Sequence, residues 1–194
     1  MKDDLYKKYI IDFQVNLLTC KSLGKGHNGI VYMLPEKKVI KICFSEKSCR
    51  NEYYILKRIN NNKYFPRVYG MSGNYMIRDF VDGITLKDYI KKNGLDKGTA
   101  VKVIGLLKEF KKLKFKKYDI RCKDIMVTPD NTLMVIDPKK CFSKSRNYPQ
   151  HLCKGLYNLG ALDIFLNVLH ENSPELYKKW NDKICKYIST RICI

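Results

Sequence analysis

No apolar run in this sequence approaches the roughly 20 residues that a helix needs to cross a bilayer, so no transmembrane segment is expected. The opening Met1-Lys2-Asp3-Asp4-Leu5 is polar and acidic, unlike a secretory signal, which predicts a cytoplasmic chain. The eight cysteines include no C-x-x-C pair and there are three histidines, so neither a zinc site nor a disulfide framework is indicated. The cysteines read as reduced packing residues. No internal repeat or low-complexity linker is evident. Acidic side chains are scarce beside basic ones, 19 against 38, and the formal charge of +19 implies a surface attracted to polyanions: nucleotide, nucleic acid, acidic protein or anionic lipid. Lysine is spread from Lys2 to Lys186. The densest run, Lys108 to Lys117, keeps Phe110 and Leu113 for one face and reads as the solvated side of a helix rather than a nucleic-acid arm.

Against these absences, 194 residues give room for one well-buried domain or two small lobes. The stretch Leu23-Gly24-Lys25-Gly26-His27-Asn28-Gly29-Ile30-Val31 spaces glycines as G-x-G-x-x-G-x-V, and Val39-Ile40-Lys41 follows. Such a turn brings backbone close to phosphate oxygens with no Cβ in the way. In a dinucleotide-binding unit the third glycine opens a helix. Here it leads into the β-type run Ile30 to Leu34, a Pro35-Glu36-Lys37-Lys38 turn and a second strand from Val39 to Phe44.

Further along, Leu5 to Leu18 suits either a short helix or a lead-in to the first strand. Ser45 to Ser48 offers helix caps, and Cys49 to Ile59 repeats apolar positions at helical spacing, carrying Glu52. Strands are predicted over Arg67 to Met71 and Tyr75 to Phe80, a connector over Val81 to Ile84, and a short helix over Thr85 to Ile90 that stops at Asn93-Gly94. Asp96 caps a longer helix from Lys97 to about Lys114. After a polar loop from Asp119 to Asp124 comes a hairpin over Ile125 to Ile136, closed by Asp137-Pro138, and then helices over Leu152 to His170 and Pro174 to Ile188. Strands with one helix followed by helices make an α+β chain, with the connector as the seam.

This order of parts resembles the protein-kinase-like superfamily over roughly residues 17 to 140. The resemblance implies a minimal bilobal fold, with an N-terminal antiparallel sheet plus one helix to about residue 78 and a reduced helical lobe after it, similar to the compact bacterial and atypical kinases of the RIO and lipopolysaccharide-kinase type. It implies ATP and Mg²⁺ as cofactors. Gly24, Gly26, Gly29 and Val31 would form the lid over the phosphates, Lys41 would contact them, and Glu52 would orient Lys41. The Asp79 carbonyl and the Val81 N–H would bond the adenine edge, with Arg78 guarding the back of the pocket where the family usually has an uncharged residue. In the catalytic-loop segment Lys117-Tyr118-Asp119-Ile120-Arg121-Cys122-Lys123-Asp124, Asp119 falls on the base, Arg121 on a cation for the transferring phosphoryl group, and Asp124 on the metal-binding asparagine. Asp137 falls on the second metal ligand, but Pro138-Lys139 replaces the family's Phe-Gly.

The His-Arg pair before the base is missing, and residues 138 to 151 are too few for a regulated activation loop. The resemblance therefore implies a constitutively assembled kinase, its acceptor a serine or threonine of a protein. A small-molecule kinase of the sugar or lipid type would share every residue named, and a pseudokinase would keep the same parts as a partner-binding module. His27 reads as a solvent-facing spacer, and His151 and His170 have no companions in the sequence that point to metal or general-base work.

Overall fold

Residues 14–192 are described by a computed structural model of the chain, which is α+β. The expected element over Leu5 to Leu18 lies mostly outside them; its described end is a 3₁₀ turn, Leu17–Thr19. The chain divides into two units between Phe80 and Val81.

The first unit is a five-stranded antiparallel sheet with one helix. Its strands are β1 (Ser22–Gly26), β2 (Gly29–Leu34), β3 (Lys38–Cys43), β4 (Val68–Ser72) and β5 (Tyr75–Asp79), in the spatial order β1-β2-β3-β5-β4. The central strand, β3, has the strongest β composition, and Val39, Ile40, Ile42 and Cys43 are all buried. Ile40 and Ile42 pack with Leu17 on one side of the sheet, while Cys43 joins Cys49 and Met76 in a second cluster. Cys49 belongs to helix α1 (Glu46–Arg58), which the Ser45 hydroxyl caps by accepting from the Ser48 N–H. Its buried residues, Cys49, Glu52 and Leu56, recur at spacings of three and four, so one stripe carries the whole apposed face.

The first strand of the second unit is β6 (Ile84–Thr85), where the expected connector ends and the expected helix begins, and it continues into helix α2 (Leu86–Asn93), whose first turn the Thr85 hydroxyl caps. Helix α3 (Lys97–Lys112) is capped by Asp96, which accepts from the Thr99 N–H at 2.8 Å and the Thr99 hydroxyl at 2.6 Å. The buried stripe of α3 runs through Ala100, Val103, Ile104, Leu107 and Phe110. A 3₁₀ turn, Cys122–Asp124, leads into the hairpin of β7 (Ile125–Val127) and β8 (Leu133–Val135), and β6 completes a three-stranded sheet in the order β6-β7-β8.

The single helix expected from Leu152 to His170 is two, α4 (Gln150–Tyr157) and α5 (Leu162–Asn172). Gly160 takes φ +65°, a left-handed conformation that ends a helix, and the Ala161 N–H turns back to the Leu156 carbonyl at 2.9 Å. The apolar spacing continues on both sides of this break, so periodicity alone does not reveal it. Helix α6 (Pro174–Ile192) closes the unit and buries Trp180, whose indole N–H donates to the Asn147 carbonyl at 2.9 Å. Among the described residues no helix is long and apolar enough to cross a membrane.

Candidate functional site

In the first unit, β1 and β2 form a hairpin in which Gly26 pairs with Gly29 and His27-Asn28 make the turn. The glycines are not equivalent. A Cβ on Gly29 would stand 2.1 Å from the Ile42 carbonyl oxygen, so this glycine is required by the approach of β3. A Cβ on Gly26 would meet nothing nearer than 3.9 Å, and β1 is exposed throughout, leaving the turn backbone open to a ligand.

Lys41 lies on β3 opposite Val31 of β2 and Met76 of β5. Its ammonium donates to both carboxylate oxygens of Glu52 on α1, at 2.7 and 2.6 Å, and both residues are buried, at 7% and 5% exposure. Two charges held out of water in such a pair lose hydration that a mutual bidentate contact must offset, so the pair is poorly explained as surface decoration. A paired ammonium also presents its third proton in a fixed direction.

At the end of β5, Arg78 is buried and its guanidinium donates to the Asp79 carbonyl at 3.0 Å. The Asp79 carboxylate accepts from the Tyr69 hydroxyl at 2.6 Å and the Arg67 N–H at 2.9 Å. The Asp79 carbonyl, expected to bond an adenine edge, thus already carries one donor. Val81 is buried and opens the second unit.

In the second unit, the Asp119 carboxylate, expected as the base, is covered. Its side chain has no exposed surface. One oxygen accepts from the His151 backbone N–H at 2.7 Å; the other meets the His151 Nδ1 at 2.5 Å and pairs with the Arg146 Nε at 3.4 Å. The expectation that His151 lacks companions is corrected with it: the first turn of α4 delivers the imidazole to Asp119. Arg146 arrives through main-chain bonds, its N–H donating to the Lys116 carbonyl and its carbonyl accepting from the Tyr118 N–H. Neither partner is visible in sequence, because 32 residues separate His151 from Asp119 and no local motif announces the contact.

Asp124 and Asp137 flank the open end of the β7–β8 hairpin, where Ile125 pairs with Val135 and the Ile136 N–H donates to the Asp124 carbonyl at 3.1 Å. Burial pushes the Asp124 carboxyl above its ordinary range, and the negative charge of Asp137 pushes it further; Lys123, Arg121 and Lys139 oppose the rise. The Lys139 ammonium sits 2.7 Å from Asp137. Two hard-oxygen carboxylates in mutual repulsion fit a divalent cation of the Mg²⁺ kind, which takes one or two protein carboxylates and keeps the rest of its shell as water and phosphate oxygens. No cage of three or more metal-ligating side chains occurs among the described residues, so the pair alone would be the protein's share.

Arg121 is exposed and leads the 3₁₀ turn that ends in Asp124. None of the seven described cysteines is in a disulfide, and five of them are buried. Burial pushes the Cys122 thiol up to about 12 and the Cys141 thiol up to about 11, which removes thiolate chemistry from this region. No family model matches the chain, and no curated protein matches it.

Proposed function

We propose that the chain is a minimal protein-kinase-like enzyme that transfers the terminal phosphoryl group of Mg·ATP to a serine or threonine hydroxyl of a protein. The buried Lys41–Glu52 pair, beside an open glycine hairpin on the same sheet, is the observation that carries this reading. Here Lys41 and the Gly24–Gly29 turn anchor the phosphates, with Asp79 and Val81 offering main-chain groups to the base. Asp124 and Asp137 would hold Mg²⁺, which when bound would supply charge neutralisation for the phosphate groups. Arg121 supplies a cation for the transferring group.

The covered carboxylate changes the part given to Asp119. A carboxylate facing Nδ1 favours the proton on that nitrogen and leaves Nε2 as an acceptor. The His151 side chain is 41% exposed, so Nε2 is the group that receives the acceptor hydroxyl's proton while Asp119 steadies the imidazolium. The acceptor oxygen gains the bond to phosphorus, the bond from phosphorus to the β–γ bridging oxygen breaks, and ADP departs.

The burial of Asp119 favours one rival, a module that binds nucleotide or partner without transfer. Titration with ATP, with and without Mg²⁺, for the natural chain and for Lys41→Ala, tests the binding half. Loss of affinity in the variant and without Mg²⁺ is expected, and indifference to ATP refutes the proposal. Labelled ATP with protein and metabolite pools then separates protein kinase, small-molecule kinase and non-catalytic module.

A further inference from the structure

The second unit holds a cavity of about 440 Å³ walled by α2, the 3₁₀ turn before β7 and α4. This volume lies within the ordinary range of ligand sites. Of its ten lining residues, five are Lys87, Lys91, Arg121, Lys123 and Lys154. One residue in five of this chain is lysine or arginine, so ten taken at random would include about two, and about one acid; the cavity has no acid. Its charge therefore exceeds what the overall composition supplies.

The five cations are also arranged against their own repulsion. Lys87 and Lys91 stand four residues apart on α2, where like charges are destabilising. The 3₁₀ turn, with its N-cap Arg121 and Lys123, and α4, with Lys154, deliver the rest to the same hollow. Among the described residues none of the five makes an ion pair, although Lys97, Lys112 and Lys139 elsewhere in this unit do. Asp124, outside the lining, lies in the field of Lys123 and Arg121, and a hollow lined by five cations and no acid is complementary to an anionic ligand.

His151 also lines the cavity, and its Nδ1 meets the Asp119 carboxylate. Cys122 also lines it, but its thiol, pushed up to about 12 by burial, is no nucleophile. We infer that this cavity seats an anionic side chain of the acceptor peptide, a carboxylate or a phosphate next to the hydroxyl that reacts, and so selects acidic or already phosphorylated segments. The inference rests on the kinase reading for the word acceptor, but the anion site is testable without it.

The test is fluorescence anisotropy in the absence of nucleotide, on the full chain. Three labelled peptides share one serine, flanked by glutamates, by glutamines, or by one phosphoserine and glutamines. The variant Lys91→Glu/Lys154→Glu reverses charge in the cavity, and Lys111→Glu/Lys178→Glu makes the same change on exposed faces of α3 and α6; melting curves verify that both fold. Lys87→Gln/Lys91→Gln repeats the cavity test without reversal. The natural chain should bind the glutamate or the phosphoserine peptide, the stronger of the two naming the anion. The cavity reversal should weaken that binding about tenfold or more and the control less than about twofold. Equal losses in cavity and control variants, equal binding of the glutamine peptide, or a cavity-dependent affinity for RNA or ATP in place of the peptides would overturn the site. If ATP does not bind but the cavity-dependent peptide affinity persists, the kinase reading falls and the anion site stands. If ATP binds and phosphate passes to the glutamine peptide as fast as to the others, the site falls and the kinase reading stands.

Discussion

Removing Glu52 while keeping Lys41 should harm the protein more than removing both. Glu52→Ala leaves an ammonium with 7% exposure and no bidentate partner, and a buried pair broken on one side costs about 3–5 kcal/mol. For a chain of this size about 1 kcal/mol moves the melting temperature by roughly 2–4 °C, so a fall of about 6–20 °C is expected. Lys41→Ala takes the ammonium away from the buried Glu52 carboxylate and should cost stability of the same order. The double variant Lys41→Met/Glu52→Leu replaces both charges with apolar groups of similar length among Cys43, Cys49 and Met76, and such replacements are often neutral or stabilising. Its melting temperature should return to within about 5 °C of the natural chain, because apolar replacement of a buried pair approaches neutrality. Function separates from stability in this series: the double variant should fold yet lack the proposed phosphate anchor, and should bind Mg·ATP no better than Lys41→Ala. Circular dichroism melts and ATP titration on the four proteins make the check. A double variant as unstable as the singles would refute the electrostatic reasoning, and one that binds ATP normally would refute the role of Lys41.

Other substitutions probe separate links. His151→Gln should lower phosphoryl transfer by about 10²–10⁴-fold with ATP affinity kept, since only the proton acceptor changes; an unchanged turnover number would remove His151 from the reaction. Gly29→Ala drives a Cβ into the Ile42 carbonyl and should cost about 1–3 kcal/mol, whereas Gly26→Ala should melt like the natural chain; denaturant titration compares them. The Thr99 hydroxyl and N–H hold the Asp96 carboxyl below its ordinary range, so the stability it confers is present above the unfolded carboxyl value of about 3.9 and is lost as the pH falls through the lower folded value. Asp96→Ala should cost about 1 kcal/mol at neutral pH, with the two melting curves converging in strong acid; a gap independent of pH would show that charge is not involved.

Much of the first unit was legible because its signals are local. A strand, a glycine turn, a second strand and a capped amphipathic helix lie within about forty residues, and the Lys41–Glu52 contact spans 11. The α+β class followed from the same punctuation. The second unit hid more. Gly160 interrupts a helix whose apolar period does not falter, and β6 is two residues long, below what alternation can register. The partners of Asp119 come from Arg146 and the first turn of α4, joined by main-chain bonds of irregular loops that no periodicity encodes. The basic cavity was invisible for the opposite reason: lysine is so common here that only three-dimensional convergence distinguishes five of them.

Trp180 is the lone indole of the chain and lies buried in the helical unit with its N–H bonded to Asn147. Emission excited at the red edge of protein absorbance therefore reports on one half of the molecule and is silent about the sheet, while ellipticity sums both. Superposing the two traces during denaturation gives a direct reading of whether the halves melt as one cooperative body or in succession.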